Sequence, residues 1–326
     1  MSANNDALRP ANNDALRPAN NDALRPANHD GALRLLAVHA HPDDESSKGA
    51  PMMAKYLAEG HEVMVVSCTD GSRGDIQNPA LLGYAHADRD MGGVRRLEMA
   101  EAQRIIGMQH RWLGFTDSGL PEGDPLPPLP WGAFATFPLH QAAAPLVRLV
   151  REFRPHVVVS YDENGGYPHP DHIMAHRVAV EAFRAAPLAE EYPDAGEPWA
   201  PSKLYYDVPF NARKYETFHR ALLEAGLESP YARWVASATE DDAEGHHPWA
   251  ARHPVTTQVE CGKYFEIRDR ALAAHASQVD PNGSFFAVSL ELRQRLWPWE
   301  DYSLISSSVG YPKDGQTEED LFAGLR

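Results

Sequence analysis

Four short apolar runs, each leading into a stretch with helical periodicity, limit what this chain can fold into more than any other feature. Leu33–His39, Glu62–Cys68, Arg111–Phe115 and His156–Tyr161 read as strands. Ser46–Glu59, Asp88–Ile106, Leu139–Phe153 and Asp171–Ala185 read as helices, the first stopping before Gly60 and the second closed by Gly107. Strands buried on both faces and separated by helices pack as a parallel, doubly wound sheet. The expected class is therefore α/β, a Rossmann-like sandwich. From about Ala200 the pattern is looser: a strand in "KLYYDV", a helix near Arg213–Ala225, an acidic loop at Glu240–Pro248 and a helix over Val259–Ala274. These residues form a smaller α+β portion.

The N-terminus is built differently. "ANNDALRP" occurs three times in register, at Ala3–Pro10, Ala11–Pro18 and Ala19–Pro26, with a degraded copy from Ala27. A proline in every copy stops a helix after one or two turns, and the unit has too little apolar surface for a core. The expected organisation is a disordered extension over 1–31 and one domain over 32–326. Within that domain, 32–190 is the catalytic part and 200–326 shapes the substrate cleft.

In a doubly wound sheet, ligands bind beyond the carboxyl ends of the strands. Here those ends carry "HAHPDDE", "TDGSRGD", "TDSG" and "YDENGGYPHPDH". Burial punishes unpaired acids, so such clusters need a partner of opposite charge. His41 and Asp44, three apart in a turn, can converge on one ion, and His172, opening a helix after another strand, is the best-placed third ligand. Two imidazoles and a carboxylate suit Zn²⁺ with a position left open for water, and Fe²⁺ accepts the same donors. Asp43 is then a spare carboxylate able to take the proton of that water. His169 and Tyr167 can donate to a developing oxyanion or leaving amine, and Asp171 can orient the His169 ring. His39 and Glu45 are open between hydrogen bonding to the site, helix capping and catalysis.

The net charge, −16 from 30 basic and 46 acidic residues, argues against nucleic acid or an anionic membrane as the main partner. Two cysteines without a CxxC neighbour suggest neither a disulfide framework nor a thiolate metal site, and they suit a reducing cytoplasm. No apolar run approaches the ~18 residues of a membrane span, and no signal peptide is expected.

The pair "AHPDDE" and "HPDH" resembles the signature of the LmbE-like (PIG-L type) zinc N-deacetylases, from about Arg34 to near the C-terminus. Longer strings, among them "HAHPDDESSKG", "WLGFTDSGLPEGDPLPPLP" and "REFRPHVVVSYDENGGYPHPDH", are similar to the branch acting on S-conjugates of mycothiol. The resemblance implies an LmbE-type fold, metal ligation by His41, Asp44 and His172, and Asp43 as general base. It implies His169 as acid or oxyanion donor with Tyr167 assisting. It also places Arg73 and Asp117 on the glucosaminyl-inositol part of a substrate, Lys48 on the acyl part, and His275 near the cleft. Asp117 has a second reading, as the cap of a turn, and His275 a second reading in packing. The octapeptide repeats and the acidic loop depart from the family pattern.

The expected function is thus a zinc-dependent, cytoplasmic amidase that cleaves a small-molecule thiol conjugate in detoxification. Two rivals stand beside it: deacetylation of N-acetylglucosaminyl-inositol or another N-acetyl sugar, and a non-haem Fe(II) oxygenase built on the same donor triad. Oligomeric state is not legible.

Overall fold

The computed structural model describes residues 31–237, 253–313 and 315–326. The octapeptide repeats and the acidic loop lie outside the described residues.

The first strand, β1 (Arg34–His39), has four consecutive apolar residues, Leu35 to Val38, each at most 2% exposed. Such a strand is stable only with helices on both faces, and its place is the middle of the sheet. Beside it run β2 (Glu62–Thr69) and β4 (Val157–Ser160), both parallel to it. Outside these lie β3 (Gln109–Phe115), parallel to β2, and β5 (Lys203–Asp207), parallel to β4. Two strands then extend the same sheet antiparallel, β6 (Thr257–Glu260) and β7 (Trp299–Ser307), in the order β3-β2-β1-β4-β5-β7-β6. The expected C-terminal α+β portion is therefore partly a continuation of the main sheet. The helix expected over Val259–Ala274 is shorter, because its first residues pair with β7 as β6; the helix itself spans Phe265–Ala274.

Alternate residues of the central strands face opposite cores. Leu36, Val38, Val66 and Val158 pack with α4 (Leu139–Phe153) and α5 (Pro170–Ala185) on one face. Leu35, Ala37, Val65 and Val159 pack on the other with α2 (Ala50–Ala58), α3 (Ala85–Ile106) and the helix at Phe265–Ala274. Each large side chain so buried contributes roughly 1.5–3 kcal/mol of transfer free energy. The first expected helix is in two pieces, α1 (Asp44–Ser47) and α2, because Gly49 adopts φ 97° between them. The Glu300 carboxylate, reaching over from β7, accepts the backbone N–H groups of Gly49 (2.8 Å) and Met52 (3.0 Å) and caps α2. Further on come α6 (Ala212–Glu224), α7 (Ala232–Ser237), α8, which is the Phe265–Ala274 helix, and α9 (Leu290–Leu296). Among the described residues no helix is long and apolar enough to cross a membrane.

The chain leaves β1 towards β2 and β3 on one side and later fills β4 and β5 on the other. The topological switch point is thus the crevice between the carboxyl ends of β1 and β4. The two His-Asp motifs follow these two strands.

Candidate metal centre

Tyr161, just past the end of β4, ties the two sides of the crevice together. Its hydroxyl accepts the backbone N–H of Ala40 (2.8 Å) and donates to Asp44 Oδ2 (2.7 Å). The same carboxylate oxygen accepts the backbone N–H of His41 at 2.9 Å, closing the first turn of "HPDD". The turn places Asp43 at φ 117°, a left-handed conformation that a side-chain-bearing residue adopts at a cost. Behind it, Glu45 Oε2 accepts the Asp43 backbone N–H (2.9 Å), and Glu45 Oε1 takes hydrogen bonds from Ser46 (2.5 Å) and His275 Nε2 (2.7 Å). Glu45 and His275 are fully buried and pair as ions. Although burial pushes Glu45 up, His275 and these hydrogen bonds win and hold it at about 2. His275 is raised by Glu45 against the opposing effect of burial.

The second loop is folded by its own backbone. Asp162 Oδ1 accepts the N–H groups of Asn164 (3.1 Å) and Gly166 (2.8 Å), and Gly165 and Gly166 both take φ 73°. A Cβ on Gly165 would lie 2.5 Å from the Cβ of His172, so the turn requires glycine. The Gly165 carbonyl lies 2.9 Å from His172 Nδ1, which fixes a proton there and leaves the lone pair on Nε2.

His41, Asp44 and His172 come together with potential ligand atoms all within 4.8 Å of one another, and all three are buried. Asp44 Oδ2 is 3.8 Å from His41 Nδ1 and 3.6 Å from His172 Nε2. His172 Nε2 is buried with no hydrogen-bond partner among the described residues, so its lone pair points at an electrophile or at nothing. Burial would keep His41 neutral, but the Asp117 and Asp171 carboxylates outweigh it and push the imidazole up to about 10. Asp44 is held well below the usual carboxylate range by Lys48, His172 and His41, against the pull of burial. The pocket therefore favours positive charge at its centre, whether a proton or a metal ion. Two imidazoles and a carboxylate fit a divalent transition metal.

The other expected residues surround this cluster. Asp43 lines the cavity and meets Arg95 Nη2 at 3.0 Å; burial raises its carboxyl and Arg95 opposes the rise. Tyr167 lines the same cavity, and burial keeps its phenol protonated. Burial, reinforced by His41, pulls His169 down to about 4, and its Nδ1 accepts the Asp171 backbone N–H (3.1 Å). The neutral ring then carries its proton on Nε2. The Asp171 carboxylate differs from expectation. Rather than orienting His169, it lies 3.2 Å from His41 Nε2 and accepts the Ser118 N–H at 2.8 Å. Only its backbone sets the His169 tautomer.

Lys48 lines the cavity and pairs with Asp44 Oδ1 at 2.5 Å. Asp117 caps its turn, one of its two expected readings: Oδ1 accepts the Gly119 N–H (2.8 Å), and it also lies 3.6 Å from His41 Nε2. The Arg73 guanidinium donates to the Asp117 backbone carbonyl, and the Arg73 N–H to Asp117 Oδ2 (3.0 Å). His275 does not line the cavity; it stands behind the Asp43 turn through Glu45. His39 is buried and pulled down to about 4 by burial.

Three residues at the site carried no signal in the sequence. Tyr161 reads as the last residue of a strand and Arg95 as one of many arginines on a helix. Arg95 is 3% exposed and holds the backbone carbonyls of Pro42 and Gly71 as well as Asp43. Asp207 ends β5 as an ordinary strand terminus, yet it lines the cavity.

Residues 36–183 match the family model of PIG-L, GlcNAc-PI de-N-acetylase. The chain is 52% identical over 296 residues to a mycothiol S-conjugate amidase of Streptomyces coelicolor, covering 90% of this chain and 98% of that one. It is 40% identical over 299 residues to a 1D-myo-inositol 2-acetamido-2-deoxy-alpha-D-glucopyranoside deacetylase of Streptomyces avermitilis, covering 90% and 97%. Among solved structures it is similar to the N,N'-diacetylchitobiose deacetylase of Pyrococcus horikoshii, with a TM-score of 0.55, 18% identity and 85% of each chain covered. At that identity the likeness speaks for the fold. Nothing in the fold or in these relatives supports the oxygenase alternative.

Proposed function

The chain belongs to the PIG-L, or LmbE-like, family of metal-dependent amide hydrolases, and from that premise we propose that it cleaves mycothiol S-conjugates. The products are an N-acetylcysteine S-conjugate and glucosaminyl-inositol, which makes the enzyme part of thiol-based detoxification. The observation that carries this reading is the 52% identity to an amidase over almost the whole of that relative, against 40% to the deacetylase. The two buried free thiols, Cys68 and Cys261, suit a cytoplasmic enzyme.

His41, Asp44 and His172 are the residues that would hold the metal, with Zn²⁺ favoured by the donor set. A bound Zn²⁺ supplies Lewis acidity towards the amide carbonyl and lowers the pKa of water. Asp43 takes the proton of the attacking water. Its carboxyl, raised by burial, is a stronger base than a solvated aspartate, and Arg95 at 3.0 Å fixes its direction. The protonated phenol of Tyr167 and the Nε2–H of His169 donate to the oxyanion that forms as the carbonyl is attacked. The leaving amine takes up the proton that Asp43 removed from the water, so the same carboxyl, raised by burial, acts first as base and then as acid. Arg73 and Asp117 serve the sugar side and Lys48 the acyl side, while His275 and Asp171 act as positioning residues.

Deacetylation of N-acetylglucosaminyl-inositol is the second reading, favoured by relatives at 40–41% identity. The test compares kcat/KM for a bimane conjugate of mycothiol with acetate release from N-acetylglucosaminyl-inositol. Faster conjugate cleavage is expected, and dominant acetate release would overturn the amidase reading.

A further inference from the structure

From the His-Asp cluster a cavity of about 400 Å³ extends past Lys48, and neither Asp117 nor Arg73 lines it. Asp43, Asp44, His172 and Tyr167 are at its polar end. Beyond them rings, notably Phe210, Tyr215, Tyr231, Trp234, Phe265 and Phe285, share the wall with Asp207, Lys214, Arg268, Arg293, Glu300 and Asp301. Two of the rings meet Trp234 edge to face: Tyr215 and Phe210 lie 4.9 Å and 5.2 Å from it, at 84° and 76°. An acetyl group ends one carbon beyond its carbonyl and would leave this chamber unused.

One polar group in the lining is unsatisfied. Both carboxylate oxygens of Asp207 are buried without a hydrogen-bond partner among the described residues, and the residue is 8% exposed. Asp207 ends β5, the strand beside β4, and lines the cavity together with Lys48, Asp44 and His172. An unpaired buried acceptor costs free energy that a ligand N–H would recover. Burial also pushes the carboxyl up to about 8, which spares the cavity an unpaired charge.

We infer that the chamber is the acyl-side subsite, in which Asp207 accepts the N–H of an acylamino group next to the scissile carbonyl and the rings enclose an apolar or aromatic thioether substituent. The inference rests on the amidase reading. Such a substrate carries both groups that the lining can take, an N–H donor for Asp207 and an apolar substituent for the rings. The acylamino group is one carbon from the carbonyl, and the sulfur substituent lies further out, towards the rings.

The experiment measures kcat/KM for the bimane conjugate, an S-methyl conjugate and N-acetylglucosaminyl-inositol, with metal content as a check of the folded site. Asp207→Leu should lower the ratio of conjugate cleavage to acetate release by about tenfold or more, and Asp207→Asn, which keeps an acceptor oxygen, should restore most of it. Phe285→Ala, at a ring 43% exposed and free to change without unfolding the core, should lower the bimane to S-methyl preference by roughly fivefold. Unchanged ratios, or equal losses on all three substrates with metal retained, would overturn the subsite. Wild-type acetate release exceeding all conjugate cleavage would instead overturn the amidase reading beneath it.

Discussion

Residues 40–49 and residues 161–172 each carry a strand into a helix and each bring a histidine to the same cluster, but different forces hold them there. Behind the first loop stand charges: Arg95 on Asp43, and the buried His275–Glu45 pair under the Asp43 N–H. The second is shaped by the Asp162 cap, two glycines at positive φ and the Gly165 carbonyl on His172. A loop propped by ions can keep a carboxylate ionised and reactive, at the expense of sensitivity to pH. A loop propped by its backbone holds a neutral ligand in one tautomer across a wide pH range.

The largest effects should come from the acidic loop, and they separate its two aspartates. Asp44→Ala should lose the metal. Asp43→Ala should keep it, with turnover reduced about 10²–10⁴-fold, as for a lost general base. Metal analysis beside amidase rates checks both, and metal loss in Asp43→Ala would exchange their roles. Gly165→Ala tests the second loop. It forces a Cβ into His172 at φ 73° and should weaken metal affinity by about 10–100-fold, with a profile against pH parallel to wild type. A pH-shifted profile would mean that this loop, too, depends on ionisation.

The smallest effect is on stability. Glu45 falls from an ordinary 4.5 unfolded to about 2 folded. Its contribution is therefore fully present above 4.5 and is lost as pH falls through 2. It is about 3 kcal/mol, less what its coupling to His275 shares out. Melting temperature followed from pH 6 to pH 2 should drop more steeply in wild type than in Glu45→Gln. Parallel curves would remove the ionic prop from the comparison.

The sequence makes the His-Asp cluster legible because its members are local. His41, Asp43 and Asp44 share one turn, His169 and His172 another, and both turns follow apolar strands that had to be central. What props them is not local. Arg95 reaches the turn from the middle of α3, Tyr161 from across the switch point and His275 from the end of α8, and no spacing marks any of them. The two antiparallel strands were hidden for a related reason. In β7, Asp301 and Ser303 are buried polar residues, satisfied by Asn211, Gln258 and the Pro254 carbonyl, so the strand lacks an apolar pattern. The aromatic chamber is scattered over segments from Phe210 to Trp299, where single rings read as ordinary core.

The backbone at Asp43, at φ 117°, is one that glycine would occupy with ease. Replacing Asp43 by glycine should therefore recover about 1–2 kcal/mol of backbone strain, and lose in exchange the carboxylate partner of the buried Arg95 guanidinium. In fitness terms the residue sits on a ridge between two demands: a relaxed backbone and a paired guanidinium ask for different residues at one position.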